Sequence, residues 1–290
     1  MLGNLIIGAL MLGGVYGLVG MGYGLIYKAS GLMTLAQGDM LMIGAFLGMT
    51  FYKYMGLPFI VSILLVMVIM FLLGMFIQRF MVTTLLAKGA QSVYIILCTV
   101  AISMILQNGA MFIWGSNTMN FPSIFGVDTI SFFGITMQPE RLLCLGVGFI
   151  CMLALHFFMQ KTKFGTSMRA AAQDPTAATA LGINVPMTKG VAWGLASMLA
   201  GAVGVVVGPI YGVYTAMGAL IGQKAFASAV VGGYGNMYGS IVGGMFFGFV
   251  ETFVSAYWTS AYKDLISFGI LIIVMVVMPT GLFREQVMED

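Results

Sequence analysis

The stretch LPFIVSILLVMVIMFLLGMFIQR, residues 57–79, contains no charged side chain before its last position. A helix needs roughly 20 apolar residues to cross about 30 Å of hydrocarbon, so this stretch predicts a membrane-spanning helix. Similar segments recur along the 290 residues of the chain. The other predicted spans are 4–27, 91–113, 139–160, 188–212 and 262–283, together with 31–52 and 236–256, which are long enough but richer in glycine or polar residues.

The composition of the whole chain is that of a membrane protein. Only 7% of the residues are charged and 60% are hydrophobic, whereas an ordinary soluble domain carries about 25% charged residues. The net charge of +3 is small and spread over loops, which argues against nucleic-acid binding. We therefore predict an all-α, polytopic transmembrane helical bundle in the lipid bilayer. It forms a single domain over 1–290, with about eight spanning helices.

Residues 213–235 are also apolar, but glycines and one lysine interrupt them. This pattern predicts a broken or re-entrant segment, which is tolerated at membrane depth only where protein or a wet cavity surrounds it. Lysine and arginine accumulate in cytoplasmic loops. Most basic residues fall on one side if the loop 161–189 is cytoplasmic and the N-terminus lies outside. A ninth crossing by 213–235 then returns the tail, with Arg284, to the cytoplasm.

One segment between the spans, FGTSMRAAAQDPTAATALGINVP at 164–186, is polar and rich in alanine. Asp174 suits the N-cap of a short helix, Pro175 its first position and Gly182 the residue just past its end. A helix of about two turns is not stable alone in water, because isolated helices below about 12–15 residues are marginal. We therefore expect it to dock, either on this chain's own helices as an ordered connector or in the groove of a partner.

The sequence contains few residues that could couple transport to ATP hydrolysis or to an ion gradient. It has no phosphate-binding G-x-x-x-x-G-K-[ST] motif. A secondary transporter is expected to carry intramembrane acids or histidines for its coupling ions, whereas the spans offer only Asp39 and Glu251 as acids. A pore-forming chain that another protein drives through the docked helix fits both observations.

No catalytic or metal site is predicted. Cys98, Cys144 and Cys151 lie in apolar segments without the spacing of metal ligands, and packing explains them. His156 is the only histidine, and no second ligand lies near it in the sequence. We therefore expect no bond chemistry, and no cofactor or metal bound by this chain.

The stretch LAQGDM interrupts an apolar segment with Gln37, Gly38 and Asp39. A polar group at membrane depth must be satisfied by protein or water. We predict that these residues line the cytoplasmic half of a translocation path, with Gly38 allowing the backbone to bend. The alternative, an interhelical hydrogen bond that only sets packing, stays open.

Glycines recur at intervals of four residues, for example at Gly13 and Gly17. Small residues at that spacing let membrane helices approach closely, so we expect tight packing within the chain. The glycines of 232–244 are an exception, because polar side chains accompany them. They predict a flexible, polar-lined gate in the translocation path, with the residues Lys224, Gly232, Gly233 and Asn236.

Four stretches of the chain resemble ABC-importer permeases of the branched-chain amino acid type. They are GLIYKASGLMTLAQGDMLMIGAF (24–46), MRAAAQDPTAATALGINVPMTKGVAWGLASMLAGAVGVVVGPIYG (168–212), KAFASAVVGGYGNMYGSIVGG (224–244) and YKDLISFGILIIVMVVMPTGLF (262–283). The stretches follow the family order and are spread over nearly the whole chain. The pattern looks most like the shorter, H-type subunit of such systems.

The resemblance implies a heteromeric importer in the bacterial inner (plasma) membrane. In such a system two homologous permeases form the pore, two cytoplasmic ATPase subunits bind ATP and contact the permease loops, and an extracytoplasmic binding protein delivers a small amino acid. A short loop helix transmits closure of the ATPases to the pore. Carried onto this chain, that coupling role falls on Arg169, Ala170, Ala171, Asp174, Pro175, Ala178, Leu181 and Gly182. The wider importer signature begins E-A-A, and R-A-A stands here instead.

The identity of the solute rests on the resemblance alone, since relatives of this architecture also move urea, short amides and sugars. An alternative function is that of a self-sufficient secondary transporter or channel for a small neutral solute. A third interpretation is a structural scaffold, which predicts no loss of transport when the 164–186 loop is altered.

Overall fold

The structure is a computed structural model, and it describes residues 2–126, 129–132, 135–278 and 281–283. The described part is a bundle of helices with one small antiparallel hairpin, β1 (Ile130–Phe132) and β2 (Ile135–Met137). In chain order the helices are α1 (Leu2–Ser30), α2 (Gln37–Met49), α3 (Phe59–Ile77), α4 (Thr83–Ala87), α5 (Ser92–Trp114), α6 (Pro139–Lys161), α7 (Lys163–Gln173), α8 (Pro175–Ala180), α9 (Val185–Tyr211), α10 (Met217–Gly232), α11 (Met237–Tyr257) and α12 (Lys263–Val277). Turns of π-helix at Thr50–Tyr54 and Gln78–Val82 extend α2 and join α3 to α4.

Six helical segments of the described chain are long and apolar enough to cross a membrane. They are α1, the continuous α3–α4 segment, α5, α6, α9 and α11. Helices α2, α10 and α12 have 13, 16 and 15 residues, and a 15-residue helix rises only about 22 Å. The polytopic helical bundle is therefore confirmed. The predicted number of about eight full-length spans is not.

Two of the predicted segments have different helical bounds. Residues 31–36 are not helical, because Gly31 ends α1 with a positive φ of 68°. The segment predicted at 31–52 is thus helical only from Gln37. The segment 213–235, predicted to be broken or re-entrant, is helical only over α10, which ends at Gly232 before Gly233 and Gly235 with φ of 106° and 104°. The tail with Arg284 lies outside the described residues.

The core of the bundle is helix α9. In its most apolar window 94% of the residues are buried, compared with 28% for α3–α4 and 22% for α5. A helix that is apolar on all sides belongs inside a large protein or in a membrane. Helices α1, α2, α3 and α6 pack around α9, and α3 and α5 present large exposed apolar faces such as Ile60, Leu64 and Phe112.

Glycines set the closest approaches between helices. A Cβ placed on Gly44 of α2 would lie 2.3 Å from the Cα of Gly201 on α9, and one placed on Gly244 of α11 would lie 2.3 Å from the backbone N of Gly17 on α1. At distances this short, these positions have room for the hydrogen atom of glycine but not for a side-chain carbon. The glycines spaced four apart therefore pack helices within this chain, as predicted.

Contacts between helices show which helix ends lie together. α1 and α11 run antiparallel, since Gly13 meets Met245 and Gly17 meets Ile241. We name the end at which α1 begins the first end of the bundle, and the opposite end the second end. The first end also holds the starts of α6 and α12 and the ends of α9 and α11. The second end holds α7, α8 and the starts of α9 and α11.

Candidate functional site

A cavity of about 510 Å³ opens at the first end of the bundle. Helices α1, α6, α9, α10, α11 and α12 all contribute to its walls. Small-molecule sites occupy about 300–1,000 Å³, so this first-end cavity has the size of one. Its charged lining residues are Arg141, Lys224, Glu251, Lys263 and Asp264.

Most of these charges form one network, which we name the ion network. Nζ of Lys224 lies 2.7 Å from Oε1 of Glu251 and 2.8 Å from Oδ1 of Asp264. Oη of Tyr16 donates a hydrogen bond of 2.7 Å to Oε2 of Glu251. Nζ of Lys263 lies 3.5 Å from Oε1 of Glu251. Four helices, α1, α10, α11 and α12, are thereby connected at one wall of the cavity.

The network is buried at its centre, where Lys224 is 8% exposed and Glu251 is 5% exposed. An isolated buried charge is strongly unfavourable, and pairing with hydrogen bonds offsets that cost. Lys224 was predicted to lie on the translocation path, and it does line the first-end cavity. The sequence analysis did not pair it with Glu251. The available signal was a carboxylate within the apolar segment 236–256, which is costly in a membrane unless it has a partner.

A second polar group lies deeper in the bundle, at the start of α2. The side-chain amide of Gln37 donates a hydrogen bond of 2.6 Å to the carbonyl O of Ala196 on α9. Gly38 touches α10, since a Cβ on it would lie 2.2 Å from the carbonyl O of Gly218. These contacts favour the packing interpretation for Gln37 and Gly38. The glycine allows close approach between helices.

Asp39 differs from its two neighbours. It is 2% exposed and accepts a hydrogen bond from the hydroxyl of Ser103 on α5, while its Oδ1 is buried without a hydrogen-bond partner. Its position in the first turn of α2 places the carboxylate at the positive end of the helix dipole. Asp39 thus keeps unused acceptor capacity between α2, α5 and α10.

We predict that Asp39→Asn lowers solute uptake by roughly tenfold without changing the protein level. Asparagine keeps the shape of the side chain, but it removes a charge-assisted hydrogen bond worth about 1.5–3 kcal/mol. Uptake by membrane vesicles, normalised to folded protein, measures the effect. Ser103→Ala, which removes the donor and keeps the charge, is the control and should have the smaller effect. Unchanged uptake by Asp39→Asn would leave packing as the role of this carboxylate.

The other residues predicted for the gate lie at the second end. Gly232 packs against α11, since a Cβ on it would lie 2.0 Å from the carbonyl O of Gly239. Gly233 turns the chain with a φ of 106°, and the side chain of Asn236 caps α11 by accepting a hydrogen bond of 3.0 Å from the N–H of Tyr238. Lys224 lies about 12 Å along α10 from Gly232. The structure therefore does not bring Lys224 together with Gly232, Gly233 and Asn236.

At the second end, the short loop helix has the predicted bounds. Oδ1 of Asp174 accepts hydrogen bonds of 2.8 and 2.9 Å from the N–H groups of Thr176 and Ala177. Pro175 is the first residue of α8. Gly182 follows with a φ of 82°, a conformation that glycine adopts without strain. The predicted N-cap, first residue and C-terminal glycine of this helix are thus confirmed.

Helix α8 is anchored on one side and open on the other. Ala178 is buried in a small cluster with Ala171 and Val185. Leu181, by contrast, is 81% exposed. An exposed leucine beside a helix that packs by a single alanine is a surface available to another protein.

The segment before α8 is also held by this chain. Nη1 of Arg169 donates a hydrogen bond of 2.9 Å to Oε1 of Gln160 on α6, and Ala170 beside it is half-buried. A second cavity of about 540 Å³ lies there, lined by basic residues that include Arg169 and Lys189. The predicted coupling residues from Arg169 to Gly182 therefore lie together at the second end, where Ala171 and Ala178 are buried.

The histidine forms a hydrogen bond, and two of the three cysteines are buried. Nδ1 of His156 lies 2.7 Å from the hydroxyl of Tyr238. Cys98, Cys144 and Cys151 are free thiols. Among the residues that the structure describes, no three His, Cys, Asp or Glu side chains are grouped to hold a metal ion.

Comparison with known proteins identifies the family of this chain. The family model for the permease component of the branched-chain amino acid transport system matches residues 5–275. The chain belongs to this permease family. Members of the family are transport subunits and not enzymes. No solved structure matches the chain.

The permease has relatives in several organisms. LivH, a high-affinity branched-chain amino acid transport system permease protein of Salmonella typhimurium, is 31% identical over 96% of this permease and 94% of its own length. LivH of Escherichia coli strain K12 shows the same identity and coverage. BraD of Pseudomonas aeruginosa, a permease protein of the same kind of system, is 29% identical over 98% of this permease and 96% of its own length.

Proposed function

We propose that this permease forms half of the translocation pore of an ATP-binding-cassette importer for branched-chain or related amino acids. A second homologous permease supplies the other half. Two cytoplasmic ATPase subunits bind the ATP, and an extracytoplasmic binding protein delivers the solute. The similarity to LivH and BraD over nearly the whole chain supports the solute class.

The observation that carries the proposal is the exposed side of α8. A helix of six residues is too short to be stable alone, yet here it has an N-cap, an N-terminal proline and a glycine stop. Ala178 anchors it to the bundle, and Leu181 points its apolar surface outward. A capped helix with small side chains, projecting from the bundle in this way, suits a groove on an ATPase subunit.

The charge distribution supports the orientation of the proposed pore. Lysines and arginines accumulate on the cytoplasmic side of membrane proteins. The second end and its loops carry Lys28, Arg79, Lys88, Lys161, Lys163, Arg169 and Lys189. With the second end in the cytoplasm, α8 faces the ATPases and the first-end cavity faces the binding protein. The membrane in this proposal is the bacterial inner membrane.

We predict that Leu181→Asp reduces ATP-driven uptake by at least tenfold while the permease stays folded. Leu181 is exposed, so an acid there leaves the bundle intact. It would, however, place a charge in an apolar groove of the ATPase, where burying an unpaired charge costs several kcal/mol. The measurement is uptake of leucine by proteoliposomes that contain both permeases, both ATPases and the binding protein.

Met55→Asp is the matched control, because Met55 is an apolar residue 61% exposed at the opposite end of the bundle. It should leave coupling unchanged, measured as the stimulation of ATP hydrolysis by the reconstituted permeases, a readout that does not require delivery of leucine. Uptake by Leu181→Asp at the level of this control would contradict the proposed coupling surface. Vesicles holding this permease alone that accumulate leucine against its gradient would instead establish the alternative, a self-sufficient transporter.

A further inference from the structure

The charged groups of the first-end cavity divide into paired and unpaired ones. Lys224 and Lys263 both contact carboxylates within the ion network. Arg141, at the start of α6, does not. Among the described residues no carboxylate lies within ion-pair distance of it, and its Nε is buried without a hydrogen-bond partner. The guanidinium has further N–H donors at its end, and Arg141 lines the cavity, so this side chain favours a ligand that accepts hydrogen bonds.

Thr252 of α11 shares this property with Arg141. Its Oγ1 is buried and has no hydrogen-bond partner in the structure. A Cβ placed on Gly8 would lie 3.7 Å from Nη1 of Arg141 and 3.9 Å from Cγ2 of Thr252, so the two side chains flank one point on the cavity wall. The forked guanidinium of Arg141 offers the paired donors that suit a carboxylate, and the hydroxyl of Thr252 is a further donor on the same wall.

The same cavity also contains a negatively charged side chain, that of Asp264. The side chain of Asp264 is 50% exposed, and its known contact is the one between Oδ1 and Lys224. A carboxylate has about four acceptor positions, so Asp264 keeps capacity for an ammonium group. Glu251 is already bound by Tyr16, Lys224 and Lys263. The cavity therefore offers separate places for one anion and one cation.

Apolar side chains complete the lining. Leu12 and Val15 of α1 and Ile221 of α10 contribute to the same walls. We propose that the first-end cavity binds a free α-amino acid as its zwitterion. Its carboxylate binds Arg141 and Thr252, its ammonium group binds Asp264, and its aliphatic side chain packs on the apolar wall. This inference rests on the proposed function, because it states how the solute of that pore is recognised by the permease itself.

The pattern separates the candidate solutes. Urea, short amides and sugars have neither a carboxylate nor an ammonium group, so they can form hydrogen bonds with Arg141 and Asp264 but no ion pair with either. A site that pairs both charges of a zwitterion therefore discriminates against a neutral ligand, which lacks the matching charged groups. The same argument predicts weak binding of ligands that carry only one of the two charges.

The test measures binding of radiolabelled leucine to the purified assembly of permeases and ATPases in nanodiscs, without the binding protein. Arg141→Gln is expected to weaken binding at least tenfold, and Thr252→Val severalfold. Lys53→Gln is the matched control, since Lys53 is a cation at the first end outside the cavity. It should bind leucine like the unmodified assembly. Arg141→Lys, which keeps the charge and loses the forked geometry, should lie between Arg141→Gln and the unmodified assembly.

Competition distinguishes the two charges of the ligand. 4-Methylpentanoate is leucine without the ammonium group and isoamylamine is leucine without the carboxylate, so each should displace leucine at least tenfold less well than unlabelled leucine does. No leucine binding by the unmodified assembly, equal binding by all Arg141 variants, or equal competition by either analogue would overturn the inference. Unchanged leucine binding by Arg141→Gln, in an assembly whose complete system shows ATP-driven leucine uptake, would overturn it and leave the proposed function standing. Absence of ATP-driven uptake by the complete system would overturn the proposed function itself.

Discussion

Replacing Glu251 with alanine is expected to leave little folded permease in the membrane. The change removes the carboxylate that binds Lys224 and Tyr16 at 2.7 Å each, and the buried lysine keeps only the half-exposed Asp264 as its partner. Removing one partner of a buried ion pair costs about 3–5 kcal/mol, a large part of the roughly 5–15 kcal/mol that stabilises a typical protein. The yield of monodisperse protein in gel filtration and the midpoint of thermal unfolding measure the loss.

The double variant Lys224→Met with Glu251→Leu is the control for this result. It removes both charges and roughly keeps the volume, and such a replacement is often neutral or stabilising. We expect it to recover most of the lost thermal midpoint, although the cavity loses its ion network. A wild-type midpoint for Glu251→Ala would show that this pair does not stabilise the bundle. The same conclusion follows if the double variant is no more stable than Glu251→Ala.

The second large effect is expected from Gly44→Val, which should separate α2 from α9. The first atom of the new side chain would lie 2.3 Å from the Cα and 2.7 Å from the carbonyl O of Gly201. Backbone atoms of a packed helix cannot move aside as a side chain can. Overpacking of a core typically costs about 1–3 kcal/mol and occasionally more, and we expect the upper part of that range. Thermal unfolding of the purified permease measures it.

Gly146→Val is the matched control, because Gly146 is also a helical glycine and no atom lies within 4 Å of an added Cβ there. It should unfold within a few degrees of the unmodified protein. Equal midpoints for Gly44→Val and Gly146→Val would mean that the contact between α2 and α9 adjusts without cost. Helix α9 would then not be the rigid core of the bundle.

The sequence predicted the features that depend on neighbouring residues. Apolar segments of sufficient length identified the long helices, because span length follows from the thickness of the bilayer. Asp174, Pro175 and Gly182 identified the bounds of α8, because capping acts within one helical turn. The glycines spaced four apart indicated close packing, although the partner helices remained unknown.

The sequence could not predict the features that depend on distant pairs. Tyr16 and Glu251 are 235 positions apart, and nothing local in either segment indicates that they meet. The same holds for Arg141 and Thr252, which are on α6 and α11. For 213–235 the glycines were interpreted as signs of a broken or re-entrant segment. In the bundle Gly233 and Gly235 do lie outside α10, with φ of 106° and 104°, whereas Gly218 and Gly222 are helical and pack against the backbone at Gly38, a contact that requires the folded structure.

Helices α2 and α10 meet inside the bundle near their first turns, where Gly38 faces Gly218 and Gly222. Backbone touches backbone there, so no side chains interlock across the crossing point. The close packing of the two backbones holds α2 and α10 together. A change in the angle between these helices nevertheless requires no repacking of side chains. The crossing is therefore suited to act as a pivot, about which one end of the molecule can widen while the other narrows.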